Sequence, residues 1–238
     1  MPDTTKYMTA IAAAILALGV AVGGALVGKG VENARIGDRS VTVRGLAERQ
    51  VKADLGVLAL KFAAAGDDLS VVQADVAGDL ASVRRYLSQQ GYAASEIDLG
   101  RFEVTDQFAR EYQGGEVRAR YRVAQTVIVR TPNVDRVQAT TRSLDALVRQ
   151  GVVLQDYNGP SYIFTKLNSV RPQMIAEATA SARSGAVQFA KDAQSALGGI
   201  ASATQGSFEI LGRDDFGEEA SQVFKRVRVV TTITYRLR

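Results

Sequence analysis

Two stretches 106 residues apart decide the reading of this fold. Gly100-Arg101-Phe102-Glu103-Val104 leads to Val117-Arg118-Ala119-Arg120-Tyr121-Arg122-Val123, and Gly206-Ser207-Phe208-Glu209-Ile210 leads to Val223-Phe224-Lys225-Arg226-Val227-Arg228-Val229. The same offset, without a gap, sets Thr126 on Thr232 and Arg130 on Arg236. Alternation in amphipathic strands produces Val and Thr coincidences by itself, but the shared Gly-x-Phe-Glu and the gap-free register point to a duplication. The predicted unit is β-α-β-β, repeated, with helices covering one face of antiparallel sheet in an α+β arrangement.

Working outward, Ser40 to Leu46 and Val51 to Phe62 are β-rich runs separated by a polar stretch at Ala47 to Gln50, and they read as a hairpin. Asp67 or Asp68 can cap a helix whose apolar stripe is Leu69, Val72, Val76, Leu80, Val83 and Leu87, with Gly91 as its stop. Strands are expected near Leu99 to Phe108 and Val117 to Val129, joined by a turn containing Gly114-Gly115. A helix is expected between Pro132 and Gly151, then a strand near Tyr157 to Leu167. Pro172 reads as the first-turn proline of a long helix ending at Gly198-Gly199, and final strands lie near Gly206 to Leu211 and Val223 to Leu237. The order is ββαββα-βαββ.

Composition narrows the chemistry. The 238 residues are 46% hydrophobic and 23% charged, which suits an ordered, core-forming chain. Cys, His and Trp are all absent, so disulfides, thiolate nucleophiles, Ser-His or Cys-His catalysis and His-ligated metals drop out together. Any catalytic site would be built from carboxylates, Lys, Arg, Tyr, Ser or Thr, and no pair with complementary acid and base roles can be assembled from the pattern. A non-enzymatic protein with no cofactor is expected. Residues 40–238 carry a net charge of +3 without a concentrated basic tract, and no nucleic-acid partner is expected.

Residues 1–28 have a different character. From Tyr7 to Gly28 there are 22 residues without a charge, bounded by Lys6 and Lys29, enough for a helix to cross a bilayer. Two readings stand: an uncleaved signal-anchor, which the length favours, and a cleaved signal peptide, for which the run is long and the small-x-small site missing. The Lys/Arg count of the flanks favours keeping the far side inside, which opposes export. Gly19, Gly23, Gly24 and Gly28 form two Gly-x3-Gly steps that would let helix backbones approach, or they are ordinary small-residue content. Gly23 to Lys29 imitates part of a phosphate loop, but Gly30 replaces the Ser/Thr and no strand precedes it. Residues 29–39 read as a linker, and 40–238 as the folded domain.

The repeat carries the clearest surface feature. Arg118, Arg120 and Arg122 are expected on one face of their strand, and Arg226 and Arg228 on the corresponding face of theirs, opposite the apolar residues between them. Three readings of this basic face stand: a solvated sheet face, a contact with acidic surface of a neighbouring subunit, and a site for an anionic ligand such as a lipid headgroup. Asp214, Asp215, Glu218 and Glu219 form the densest acidic cluster, in the turn of the second repeat. Their spacing matches no EF-hand, and a solvated turn is the expectation.

Val41-Thr42-Val43-Arg44-Gly45-Leu46-Ala47-Glu48, followed by Val51, Ala53-Asp54-Leu55 and Val57, resembles the opening of the SIMPL-domain family, typically V-x-V-x-G-x-G/A-E, a polar turn and P/A-D-x-A. The likeness continues through Gln89-Gln90-Gly91, Tyr121-Arg122-Val123, Thr126 to Val129, Leu144 to Gly151, and the helix with Ala176, Ala180, Ala190 and Leu197-Gly198. Leu46 and Ala53 depart from what many members carry. The resemblance implies an exported bacterial envelope protein, often described as periplasmic, immunogenic or stress-related, with a tendency to ring-like or channel-like homo-oligomers and no catalytic residues to carry over. With the apolar run, the expectation is a single-pass inner-membrane protein whose C-terminal domain lies in the periplasm and assembles with itself. The alternative is a periplasmic module that binds an anionic ligand on its arginine face.

Overall fold

A computed structural model describes residues 15–29, 39–109 and 118–238. Residues 15–29 form helix α1. The rest runs β1 (Ser40–Lys52), β2 (Leu55–Gly66), α2 (Leu69–Gln89), β3 (Ile97–Asp106), β4 (Tyr121–Thr131), α3 (Val134–Arg142), α4 (Asp145–Arg149), β5 (Leu154–Gln155), β6 (Ser161–Ile163), α5 (Leu167–Asp192), β7 (Leu197–Gln205), β8 (Glu209–Gly212) and β9 (Phe224–Leu237). The fold is α+β with antiparallel sheets. The chain divides into two compact units: residues 48–171 with 209–228, and residues 1–47 with 172–208 and 229–238.

In the larger unit the sheet order is β3-β4-β2-β5, with β6 also on β2. β2 and β4 pair in unbroken register from Gly56↔Thr131 to Gly66↔Tyr121. Alternation puts Leu58, Leu60 and Phe62 of β2 inside, facing Val72, Val76, Val83 and Leu87 of α2 across one core. Asp68 caps α2, its carboxylate accepting from Ser70 N–H at 2.8 Å, and Gly91 ends the turn after it at φ +84°, a conformation that costs a side chain strain. The single helix expected between Pro132 and Gly151 is instead two, α3 and α4. Ser143 sits between them at φ −110°, and its Oγ donates back to the Thr140 carbonyl at 3.1 Å, a bond that competes with helix propagation.

The expected hairpin at Ala47 to Gln50 does not exist. β1 continues to Lys52 and pairs with β9, while β2 belongs to the other sheet. The chain changes sheets at Ala53 and Asp54: Ala53 N–H donates to the Val223 carbonyl at 2.8 Å, Asp54 N–H to that of Ile163 at 3.0 Å, and the Asp54 carboxylate accepts from Thr165 N–H and Oγ at 2.7 and 2.9 Å. Those bonds satisfy a backbone that leaves one ladder before entering the next.

In the smaller unit the strands follow the order β1-β9-β7. The core cluster is Val41, Ala182, Ala186, Ile233 and Tyr235. α5 presents Met174, Ala178, Ala182, Ala186 and Ala190 inward, one every four residues. β1 approaches this alanine stripe so closely that a Cβ on Gly45 would lie 1.9 Å from the Ala178 carbonyl oxygen. Two expectations about α5 are corrected. It starts at Leu167, five residues before Pro172, through a turn in which Ser169 N–H and Oγ both donate to the Lys166 carbonyl. It ends at Asp192, not at Gly198-Gly199. Gln194 turns the chain at φ +51°, and residues 197–205 become strand β7, which the sequence does not announce.

The 106-residue offset carries β4 onto residues 227–237 within β9, most of α2 onto α5, and β3 onto the end of β7 and the whole of β8. It carries β2 onto 161–172, which is β6 and the start of α5; beside β9 stands β1 instead. Part of the apolar run, residues 7–14, lies outside the described residues, as do Gly114-Gly115. Among the described residues no helix is long and apolar enough to cross a membrane.

Candidate functional site

The arginines on which an anion site would rest are placed by two different strand contexts. β4 begins at Tyr121, so Arg118 and Arg120 precede it and only Arg122 is a strand residue. Arg120 is held by Asp106: its Nε and Nη2 both lie 3.2 Å from Asp106 Oδ2. Its backbone N–H donates to Asp67 at 3.0 Å, and its guanidinium lies 4.9 Å from the centre of the Tyr121 ring. Arg122 donates to Gln155 Oε1. Arg118 is exposed.

Arg122 shares its sheet face with a set of exchanged charges. Lys61 of β2 lies 3.8 Å from Glu103 and 3.4 Å from Asp156, Arg101 donates to Glu103 at 3.0 Å, and Arg130 to Asp98 at 2.7 Å. The hydrogen bond from Arg101, followed by the charges of Lys61, Arg101 and Arg122, holds the Glu103 carboxyl below the ordinary carboxylate range. This face is wet, and its charges are largely exchanged between neighbours. Pairs this exposed add little stability, but they occupy the guanidinium donors that an anion would need.

On β9, Arg226 and Arg228 occupy the half-buried side of the alternation, opposite Leu211 and Glu209 of β8. Arg228 Nε stands 3.7 Å from Glu48 of β1. Arg226 Nε is buried and makes no hydrogen bond. Three of these arginines meet separate local partners: Arg120 meets Asp106, Arg122 meets Gln155, and Arg228 meets Glu48.

The residue that the sequence reading passed over is Lys225. It sits on the inward side of β9 between Val223 and Val227 and is completely buried. Its ammonium pairs with Glu219 Oε1 at 2.6 Å and also donates to the Glu219 carbonyl. The signal was present in the alternation, since Lys225 falls in phase with Val223, Val227 and Val229. Glu219 thereby leaves the acidic cluster for a structural pair. Asp214 leaves it too: Gln222 reaches across the loop, accepting from Arg213 N–H at 2.6 Å and donating to the Phe216 carbonyl at 2.7 Å and to Asp214 Oδ1 at 3.2 Å. The loop so tied presents Phe216 at 87% exposure. Among the described residues no group of three or more potential ligands is arranged to hold a metal ion.

Clefts of the larger unit are shallow in chemistry. One of about 310 Å³ is lined by Arg84, Ser88, Tyr92, Ala94 and Ile97. Another of about 420 Å³ includes Asp75 and Asp79, whose carboxyl is raised by burial and then by the neighbouring Asp75 charge. Gly19, Gly23, Gly24 and Gly28 lie along α1 with open space at each position where a Cβ would stand.

A family model named SIMPL, described as a protein of unknown function (DUF541), matches residues 41–233. The chain belongs to the SIMPL family. A comparison with curated proteins finds no match. In this SIMPL chain the Gly45 of the family opening is the glycine that seats β1 against α5, and Ala53-Asp54 is the point at which the chain changes sheets.

Proposed function

We propose that this SIMPL protein is a non-enzymatic component of the bacterial envelope, held at the inner membrane by residues 7–28 and assembling with itself through the domain on the periplasmic side. The observation that carries the self-assembly reading is the apolar inventory of the smaller unit. Its core is lined by alanines on the helix side, while Val187, Phe189 and Ile200 stand 49%, 51% and 56% exposed. A partner that covered them would remove this apolar surface from water. The 22-residue uncharged run supports the anchor.

Light scattering of the full chain in detergent tests assembly: a discrete mass of several subunits is expected, and a monomer at micromolar concentration refutes it. Protease added to spheroplasts tests location, with digestion of the domain expected and full protection refuting a periplasmic placement. Arg226, with its unsatisfied Nε, favours one second reading, capture of an anionic ligand. Salt-sensitive binding to phosphatidylglycerol vesicles that Arg226→Gln abolishes would support that reading; binding unchanged by Arg226→Gln refutes it.

A further inference from the structure

The two sheets of this chain end on different kinds of edge. β3, the outer strand of the larger unit, carries Asp98, Arg101, Glu103 and Asp106 in ten residues, with a register shift between Leu99 and Phe102. Charges and bulges on an edge are what keep it from pairing with another strand. β7, an outer strand of the smaller unit as the charged β1 is, has neither charge nor proline, and residues 193–208 contain none of either. Its two register shifts fall between Leu197 and Ile200 and between Ile200 and Ser202; only its second half, from Ser202 to Gln205, pairs evenly with β9, Ser202↔Thr234 through Gln205↔Thr231. Residues 199–205 are exposed throughout.

The ladder fixes which backbone groups face outward. Gly206 N–H donates to the Val230 carbonyl at 2.8 Å, and Thr204 and Ser202 stand in the same alternation, so their N–H and C=O point toward β9. Ala203 and Gln205 then direct their N–H and C=O away from the sheet, and among the described residues no strand takes them. An extended, uncharged backbone with unsatisfied donors and acceptors is a template for one more strand.

We infer that β7 is the assembly contact: it pairs antiparallel with β7 of a second copy about a two-fold axis near Thr204, extending the sheet of each. In that register Ala203 faces Gln205 of the other copy and the reverse, giving about four backbone hydrogen bonds. The second copy is the occupant that the strand chemistry selects. Charge would reject a copy in which like charges meet, as β3 would on itself, and β7 has no charge to meet. This inference rests on the self-assembly reading and names its surface.

The test uses the full chain in detergent. Ala203→Pro removes an outward N–H without cutting a bond to β9, and Ala203→Lys sets two like charges near the axis. Each is expected to lower the mass by a factor of about two or more with an unchanged circular dichroism spectrum. Because the chain has no cysteine, single Thr204→Cys and Val104→Cys variants give a second readout that does not depend on destabilising the strand. Oxidation is expected to link Thr204→Cys into dimers and to leave Val104→Cys unlinked. A monomeric wild-type chain overturns assembly itself. A wild-type oligomer whose mass survives both Ala203 substitutions, with Thr204→Cys unlinked, overturns the β7 contact and leaves assembly standing.

Discussion

Replacing Gly45 by alanine adds one methyl group at the closest approach in the smaller unit. The new Cβ would stand 1.9 Å from the Ala178 carbonyl oxygen, 2.4 Å from Ala182 N and 2.8 Å from Ala182 Cβ. Two of these are backbone atoms of α5, so no rotamer change relieves the overlap, and strand and helix must part by about 1 Å before an ordinary contact is restored. That displacement loosens Ala182 and Ala186 against Val41, Ile233 and Tyr235, the whole core cluster of the unit. Overpacking of this kind costs about 1–3 kcal/mol, and the rigid backbone on the far side places Gly45→Ala at the upper end, about 3 kcal/mol. Gly185→Ala is the control. It lies on the same helix with open space at the Cβ position, and the gain in helix propensity should stabilise by up to about 1 kcal/mol. Urea unfolding measures the difference, and amide hydrogen exchange along residues 174–190 localises it, with α5 protection lost first in Gly45→Ala. Wild-type midpoint and wild-type protection in Gly45→Ala would refute the close-packing account of the family glycine.

Three further outcomes follow from the buried polar groups. Lys225→Met removes a buried charge while keeping the stem and should change stability by less than about 1 kcal/mol, whereas Glu219→Ala strands the ammonium and should cost more, about 1–2 kcal/mol; the reverse order in urea melts sinks the pairing argument. Tyr92→Phe loses a buried bond to Thr140 Oγ at 2.9 Å and should cost about 1 kcal/mol, while Tyr157→Phe deletes a hydroxyl that has no partner and should be neutral or stabilising; equal losses would contradict this. Burial, then the neighbouring Tyr157 and Tyr92, push the Tyr162 phenol from 10.0 up to about 12. Because the folded value is the higher one, the neutral phenol's contribution is complete below pH 10 and is lost as pH rises toward 12. Phenolate absorbance of Tyr162 should therefore rise together with unfolding, and ionisation near pH 10 in a chain that stays folded rules the account out.

The sequence is readable where one element makes its own case. α2 has its cap at Asp68, its four-residue stripe and its stop at Gly91, and all three are local signals that tertiary packing reinforces. β4 and β9 show their two-residue period because one face of each is buried. β7 was invisible for the opposite reason: exposed on both faces, with two glycines and four small residues, it has no period to read and exists only through its bonds to β9. The arginine face was half legible. Alternation correctly separates Arg226 and Arg228 from Val227 and Val229, but it is silent on Glu48, Asp106 and Gln155, which come from distant elements to engage these arginines. Lys225 was legible and passed over, because a lysine in a basic strand reads as one more surface charge until its phase is compared with its neighbours.

The missing hairpin has a different cause, and it says something about how this chain is built. Two β-rich runs separated by four residues, three of them polar, read locally as a hairpin, and local rules cannot see that β9, some 170 residues later, competes for β1. The competition follows from the repeat. In the larger unit β2 stands beside β4; in the second copy the residues that would correspond to β2 are spent on β6 and the start of α5, so β9 would have an open side without β1. The chain's first strand closes the sheet of its last, with Leu237 N–H donating to the Arg39 carbonyl at 2.8 Å. Loop closure over nearly the whole chain is slow and brings no contact reward until both ends are present. The pairing of β1 with β9 is therefore a step that waits until β9 has been made. β7 takes its partner among the described residues from the same β9, while its other edge, with Ala203 and Gln205, stays open in the finished sheet.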